Sequence, residues 1–427
     1  MMSWEERAPE GVYPIEGANA FFLEPSRIIS SNYFYFSAIP HRYYSRSFFL
    51  PHQPQRADHL QASNVQQKKR KRKKLSAYAL NPKELLAQRR HQDVRKFILD
   101  AHTAFMALPE VSSFLKSLEK HLYECKENQH FSYSECKQDT VSEMIDFVEL
   151  GTVWQASLYS MTLSMVNATN EDCNGSTQES AEPLIKFPLF RHMIENNTDK
   201  ELLGSCAGIT TILPKKSRFL MSDLADIRQT LSSYTGNGYN LIIIDPPWEN
   251  RSAHRHAVYS TVPNKHLLFL PLKELAHPQG ALIGLWVTNR EKLRAFVEDV
   301  LFPAWDVDIQ ATWFWLKINA DGCMIGELDT PHHKPYECLL LGYMRPQGNK
   351  SDSQIPVLKF PPDKQVLISI PGDHSRKPPL DSLLSAYVPG QDSVRGLELF
   401  ARDIHPGWTS WGNEPLRFQQ MHYFEKE

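Results

Sequence analysis

The sequence predicts an α/β fold built on a largely parallel sheet, preceded by a mainly helical N-terminal region. Two observations carry this. From about residue 205, short apolar runs alternate with amphipathic stretches: RFLMSD, LIIID, ALIGLWVT, ATWFWLKI, ECLLLGYM, QVLISIP, LELFAR and GWTSWGNE. Those runs lack the polar alternation of a half-wet sheet, so both faces are expected to be covered. NREKLRAFVEDVLF and PPLDSLLSAYV supply helices between strands. Upstream, residues 81 to 166 carry apolar side chains at helical spacing.

Taken in order, residues 1–80 mix aromatic, proline and basic residues, with no acid from Arg27 to Ala57. NYFYFSAIPHRYYSRSFF is read as an irregular segment, packed or disordered, or as an RNA-stacking strip. KKRKRKK, residues 68–74, is a solvated tether, a nuclear localisation signal or a phosphate-contacting arm. Residues 81–204 are expected to form a helical scaffold. Asn81, Pro82 and Glu84 give a cap, a first-turn proline and an early acid. A second helix is expected after Pro109 and a third over about Ser142 to Met165, followed by a polar linker at 167–183. Residues 205–427 are the expected catalytic domain.

Composition narrows the class. The chain has 427 residues, with 41% hydrophobic and 22% charged, ordinary values for a globular protein. No run of eighteen apolar residues occurs, so no membrane span or membrane partner is expected. The start carries Glu5, Glu6 and Glu10, unlike a signal peptide. Six scattered cysteines read as reduced thiols of an intracellular protein. Cys125 and Cys136 lie near His121 and His130, which leaves a zinc site as an alternative, although their spacing fits no C-x-x-C pattern.

LIIIDPPWEN, residues 241–250, carries the chemistry. Ligands of open α/β sheets bind beyond the C-terminal strand ends, where Asp245 would sit. Pro246 holds Asp245 extended and fixes its own φ, and Pro247 fixes the next. The segment therefore presents pre-set acceptors, and Trp248 adds a flat face. A planar ring bearing an NH2 group fits such a site. Accepting both N–H bonds of an adenine amine would localise its lone pair. It would also stabilise positive charge developing on nitrogen as it attacks an electrophilic methyl. The bland reading is a strand, a proline turn and a packed Trp.

DPPW after an apolar strand resembles the signature of the S-adenosylmethionine-dependent adenine-N6 methyltransferases. WVTNR (286–290), KPYE (334–337), KPPL (377–380) and ELFAR with PGWTSWGNE (398–414) strengthen the resemblance over roughly 205–427. It implies a Rossmann-like methyltransferase domain with permuted motif order, because DPPW precedes ELFAR. It implies a catalytic role for Asp245, Pro246, Pro247 and Trp248. S-adenosyl-L-methionine would be held by Asp223, Leu224, Asp245, Lys377, Phe400, Arg402, Asn413 and Glu414. Substrate would meet Asn250, Arg251, Tyr259, Lys317, Lys334 and Glu337. Three positions depart from the family pattern: Ala401 where Gly is usual after Phe, Arg376 where His is usual, and Glu414 where the family's mRNA adenosine methyltransferase has Gln. No metal is required, since the sulfonium supplies its own electrophile.

ENRSAHRHAVYS, 249–260, with Arg251, His254, Arg255 and His256, is either a solvated loop or an active-site loop meeting phosphates. PHHKPYE, 331–337, offers a second such loop. The resemblance implies N6-methylation of adenosine in RNA, with 2′-O-methyladenosine of small nuclear RNA as target. Adenine in DNA is the alternative, and a non-catalytic nucleic-acid-binding scaffold the second. RNA or DNA is the expected partner, without an obligate protein partner and as a monomer. The nucleus is the expected compartment, with the cytosol also open.

Overall fold

Each of the eight apolar runs forms a strand, and with three others they make one sheet in the computed structural model. The structure describes residues 10–45, 82–127, 146–152, 156–166, 185–249, 261–330, 334–346, 359–390 and 393–427. In chain order the strands are β1 (Val12–Pro14), β2 (Ala20–Leu23), β3 (Phe36–Ala38), β4 (Ser160–Met165), β5 (Lys186–Pro188), β6 (Met193–Glu195), β7 (Leu202–Cys206), β8 (Ile209–Leu213), β9 (Arg218–Met221), β10 (Leu241–Ile244), β11 (Ala281–Val287), β12 (Val307–Lys317), β13 (Tyr336–Met344), β14 (Val366–Ser369), β15 (Gly396–Leu399), β16 (Thr409–Gly412) and β17 (Phe424–Lys426).

The large sheet runs β1-β2-β14-β12-β13-β11-β10-β15-β16-β9-β6. Every pairing from β11 through β10, β15 and β16 to β9 is parallel. Four parallel strands therefore end together beside β10, the strand that delivers Asp245. Strand β10 is buried at every residue. Ile242 and Ile244 join the core on one face, with Leu285, Val297 and Leu399. Leu241 and Ile243 join the other, with Trp286, Trp313 and Trp315. Burial on both faces explains why the run is continuously apolar.

Helices Pro82–Ala107 and Pro109–Glu127 form as expected. Ile98, Ala101 and Phe105 of the first, and Val111, Phe114, Leu115 and Leu118 of the second, pack with Tyr13, Phe22, Phe314 and Ile368. The helical pair thus lies on the sheet.

Two expectations are corrected. The third helix is not formed: one helical turn, Phe147–Leu150, capped by the Asp146 carboxylate, is followed by β4. SMTLSM alternates polar and apolar residues with period two, which favours a strand. It pairs in a four-stranded antiparallel sheet, β5-β4-β7-β8. The expected boundary at 205 therefore falls inside β7. Residues 10–45 are also more regular than expected. β2 pairs in parallel with β14 and extends the large sheet, while β3 pairs with β17. These strands are three or four residues long, too short to show a period. The basic run 68–74 and the linker 167–183 lie outside the described residues.

Candidate active site

Asp245 leaves the end of β10 with its N–H donated to Leu399 O at 3.3 Å. Its Oδ2 lies 3.2 Å from Lys377 Nζ and 3.4 Å from Arg402 Nη2. Lys377 also lies 3.2 Å from Glu337 Oε2, and Lys317 pairs with Glu337 Oε1. Ser375 Oγ accepts from Lys317 at 2.9 Å and donates to Glu337 at 3.0 Å. Five of the expected residues, Asp245, Lys317, Glu337, Lys377 and Arg402, therefore form one network. The Trp286 and Trp315 rings form its floor, 5.5 and 5.7 Å from Lys377 Nζ.

Electrostatics follow from this packing. Burial alone would raise the Glu337 pKa, but Lys377 and Lys317 hold it well below the usual carboxylate range. Burial alone would lower that of Lys377; Asp245 and Glu337 raise it instead. Lys317 goes down, because burial outweighs Glu337. Breaking one partner from such a group costs about 3–5 kcal/mol when the pair is buried.

The DPPW segment is rigid in a way the residues only partly announced. Trp248 N–H donates to Pro246 O at 2.8 Å, and Val262 N–H to Pro247 O at 3.0 Å. Each carbonyl keeps a second lone pair. Of the two readings of Trp248, a flat face for a ligand or a packed ring, the structure shows the packed ring. Its ring is buried and its Nε1–H donates to Trp286 O at 2.9 Å. An indole N–H away from water needs such an acceptor. Trp248 thus fastens the turn to β11.

The remaining expected residues divide. Phe400 takes a left-handed backbone, φ 64°, and its ring meets Trp411 edge-on. The turn's left-handed position is therefore 400, so Ala401 needs no glycine's freedom. Asp223 and Asn413 follow the neighbouring strands β9 and β16 and line one small cavity with Ser222 and Phe190. Leu224 begins the short helix after Asp223. Glu414 is taken by Arg417 at 3.0 Å. Lys334 is not part of the Asp245 network. It donates to Thr330 O at 3.1 Å and lines a 410 Å³ cavity beside helix Pro82–Ala107, with Tyr336 and His91. Successive residues of a strand point to opposite faces, which separates Tyr336 from Glu337. Asn250, Arg251, His254, Arg255, His256 and Tyr259 lie outside the described residues.

The sequence reading missed a buried charged cluster behind the network. Asp245, Lys377, Phe400 and Arg402 line a 30 Å³ cavity together with Arg376, Asp381, Glu398, Asp403 and His405. Arg376 Nε and Nη2 both lie 2.8 Å from Asp403 Oδ2. His405 Nε2 lies 3.5 Å from both Glu398 and Asp403. Burial alone would lower the His405 pKa; Asp381, Asp403 and Glu398 raise it to about 10. Glu398, Asp403 and His405 bring three ligand-type atoms within 4.8 Å of one another. The available signal was Glu398 itself, an acid between Leu397 and Leu399 in a buried strand.

The MT-A70 family model matches residues 239–414. The N(6)-adenine-specific methyltransferase METTL4 of Mus musculus is 35% identical over 363 residues, 84% of this chain and 71% of that protein. The N6-methyladenosine RNA methyltransferase MTA1 of Pyricularia oryzae is 33% identical over 48% of this chain and 54% of its own. A DNA N6-methyl methyltransferase of Caenorhabditis elegans is 33% identical over 58% of this chain and 65% of its own. The family model spans the strands that build the Asp245 network, and similarity to METTL4 extends well beyond them: the chain belongs to the MT-A70 family.

Proposed function

We propose that this adenine-N6 methyltransferase acts on adenosine in RNA, with 2′-O-methyladenosine of small nuclear RNA as its target. The observation that carries the catalytic reading is the state of the Asp245 carboxylate. Two cations hold its Oδ2, while Oδ1 has no partner among the described residues. A fixed carboxylate with one free acceptor, beside proline carbonyls with spare lone pairs, suits an amine with two N–H donors. Asp245 orients the target N6 and stabilises the charge that develops on it. The work is positional and electrostatic rather than strong-base catalysis.

The cofactor on this reading is S-adenosyl-L-methionine, and the donor chemistry of the chain fits it. When bound, it supplies an electrophilic methyl on sulfur. Asp245, Lys377 and Arg402 would meet its amino-acid end; Phe400 would meet the nucleoside, Asn413 the ribose, and Asp223 with Leu224 the adenine edge. Asp245, Phe400 with Arg402, Asn413, and Asp223 with Leu224 follow four adjacent parallel strands, β10, β15, β16 and β9, spaced about 4.8 Å apart, and Lys377 reaches Asp245 from the turn after β14. An extended nucleoside–amino-acid conjugate matches that row. β10 precedes β15 in the chain, which supports the reading of a Rossmann-like amino-methyltransferase with permuted motif order. Glu414, engaged by Arg417, is the weakest member of the set.

Lys317 and Glu337 would border the bound adenosine. Lys334 and the loops at 249–260 and 331–337 would meet the strand around it. Residues 10–45 and the helices of 82–127 brace the catalytic sheet and support action as a monomer. KKRKRKK supports a nuclear location. The Caenorhabditis elegans relative, named for DNA, supports adenine in DNA as the second reading.

The test uses purified protein, labelled S-adenosylmethionine and four matched oligonucleotides: RNA with adenosine, RNA with 2′-O-methyladenosine, single-stranded DNA and duplex DNA. Mass spectrometry of nucleosides reads N6-methylation. The 2′-O-methyl RNA is expected to be preferred. Preference for DNA would keep the mechanism and overturn the substrate. Cofactor binding without transfer to any oligonucleotide would favour a scaffold.

A further inference from the structure

The segment 372–377 is where the active-site cations are gathered, and it is held in a costly conformation. His374 and Ser375 are consecutive non-glycine residues with left-handed backbones, φ 53° and 59°. Such residues persist only where surrounding contacts over-determine them. Their backbone and side-chain oxygens are in use. His374 O accepts from Arg402 Nη1 at 2.9 Å, and Ser375 O from Arg402 Nη2 and Lys377 Nζ at 3.4 and 3.3 Å. Ser375 Oγ joins Lys317 to Glu337. If this turn relaxed, Lys377, Arg402 and Lys317 would all lose an anchor.

Arg376 is the residue placed to prevent that. It is 5% exposed, its guanidinium doubly bonded to Asp403 and set between two rings, Tyr43 at 4.6 Å and Phe418 at 4.4 Å. Its N–H closes the turn onto Asp373 O at 3.0 Å. The N-terminal segment grips the same turn from outside: Tyr44 bridges Gly372, and Ser45 N–H donates to Pro371 O at 3.1 Å. Two aromatic faces and a carboxylate are a receptor for a planar guanidinium, not for an ammonium.

We infer that Arg376, clamped by Tyr43, Phe418 and Asp403, is a positioning residue that sets Lys377 on Asp245. Residues 10–45 thereby become part of the active-site support rather than an appendage. Among the described residues no hydrogen bond or ion pair joins Arg376 to Asp245; Arg376 acts through the turn that precedes Lys377. The consequence for catalysis rests on the methyltransferase reading, but the positioning itself does not.

Two readouts therefore test it on the full chain. The first is the labelling rate of Lys377 by an amine-reactive reagent, followed by peptide mass spectrometry. The second is S-adenosylmethionine affinity by calorimetry, with kcat and KM measured alongside. Arg376→Lys and Tyr43→Ala are expected to speed Lys377 labelling by about tenfold and weaken cofactor binding similarly, while transfer falls by roughly 100-fold, the scale of a 1 Å misplacement. Tyr43→Phe keeps the ring and is expected to behave as wild type. Melting temperature is recorded for each variant, and labelling is compared at equal folded fraction. Should Arg376→Lys fail to fold, Tyr43→Ala decides. Unchanged Lys377 labelling in a folded Arg376→Lys or Tyr43→Ala protein would overturn the inference. If wild type binds no S-adenosylmethionine, the methyltransferase reading fails, and Lys377 labelling still judges the clamp.

Discussion

Lys377 Nζ lies 3.2 Å from Asp245 Oδ2, so a cation and not a water-filled gap stands beside the carboxylate that ends β10. The pair links the strand that delivers Asp245 to the turn that delivers Lys377, two segments more than a hundred residues apart. Replacing Asp245 tests the chemistry most directly. Asp245→Ala is expected to cut methyl transfer by at least roughly 100-fold, the scale of losing one preorganised electrostatic group. RNA binding, measured by filter retention, is expected to stay within a few-fold. Surviving transfer would remove Asp245 from the mechanism.

Trp248 makes a structural prediction. Trp248→Phe keeps a ring but leaves the buried Trp286 carbonyl without its donor, which costs about 1–3 kcal/mol. Trp248→Ala adds a cavity, for a total of about 3–5 kcal/mol. Urea unfolding measures both. An undiminished midpoint for Trp248→Phe would mean that the Nε1–H bond to Trp286 O contributes nothing.

The buried cluster predicts a pH dependence. The folded pKa of His405 is raised to about 10, above the ordinary value of about 6.5. A raised pKa stabilises the fold fully below the unfolded value, and that contribution is lost as pH rises through the folded one. The difference in melting temperature between wild type and His405→Gln is therefore expected to be largest near pH 6 and to close towards pH 10. A difference that grows with pH would reverse the assignment of charge.

Truncation tests the role of the N-terminal strands. A fragment starting near residue 200 lacks β2, leaving β14 as an exposed edge, and lacks Tyr13, Phe22 and Phe105, which cover Phe314 and Ile368. Uncovered apolar edges associate. The fragment is expected to aggregate on size-exclusion chromatography. A soluble, fully active fragment would make everything upstream dispensable.

Arg376 shows how little of the support could be read locally. As one letter before KPPL it was only a departure from a pattern; its meaning comes from Tyr43, Phe418 and Asp403, each brought from a different part of the chain. Trp248 shows the same limit, since an aromatic after two prolines reads as a ligand wall until the carbonyl of Trp286 is found above its nitrogen.

The sequence by itself determined the eight buried strands, the first two N-terminal helices and the position of Asp245 at a strand end. These rest on local quantities: apolar run length, helical period and proline's fixed φ. Tertiary structure alone decided that β1 and β2 extend the sheet, that Trp248 is buried and that Lys334 lines a cavity apart from the network that holds Glu337. It also decided that His405, Asp403 and Arg376 share one enclosure. Those outcomes depend on which distant strands pair and which faces meet, and neither is carried by any short window of residues.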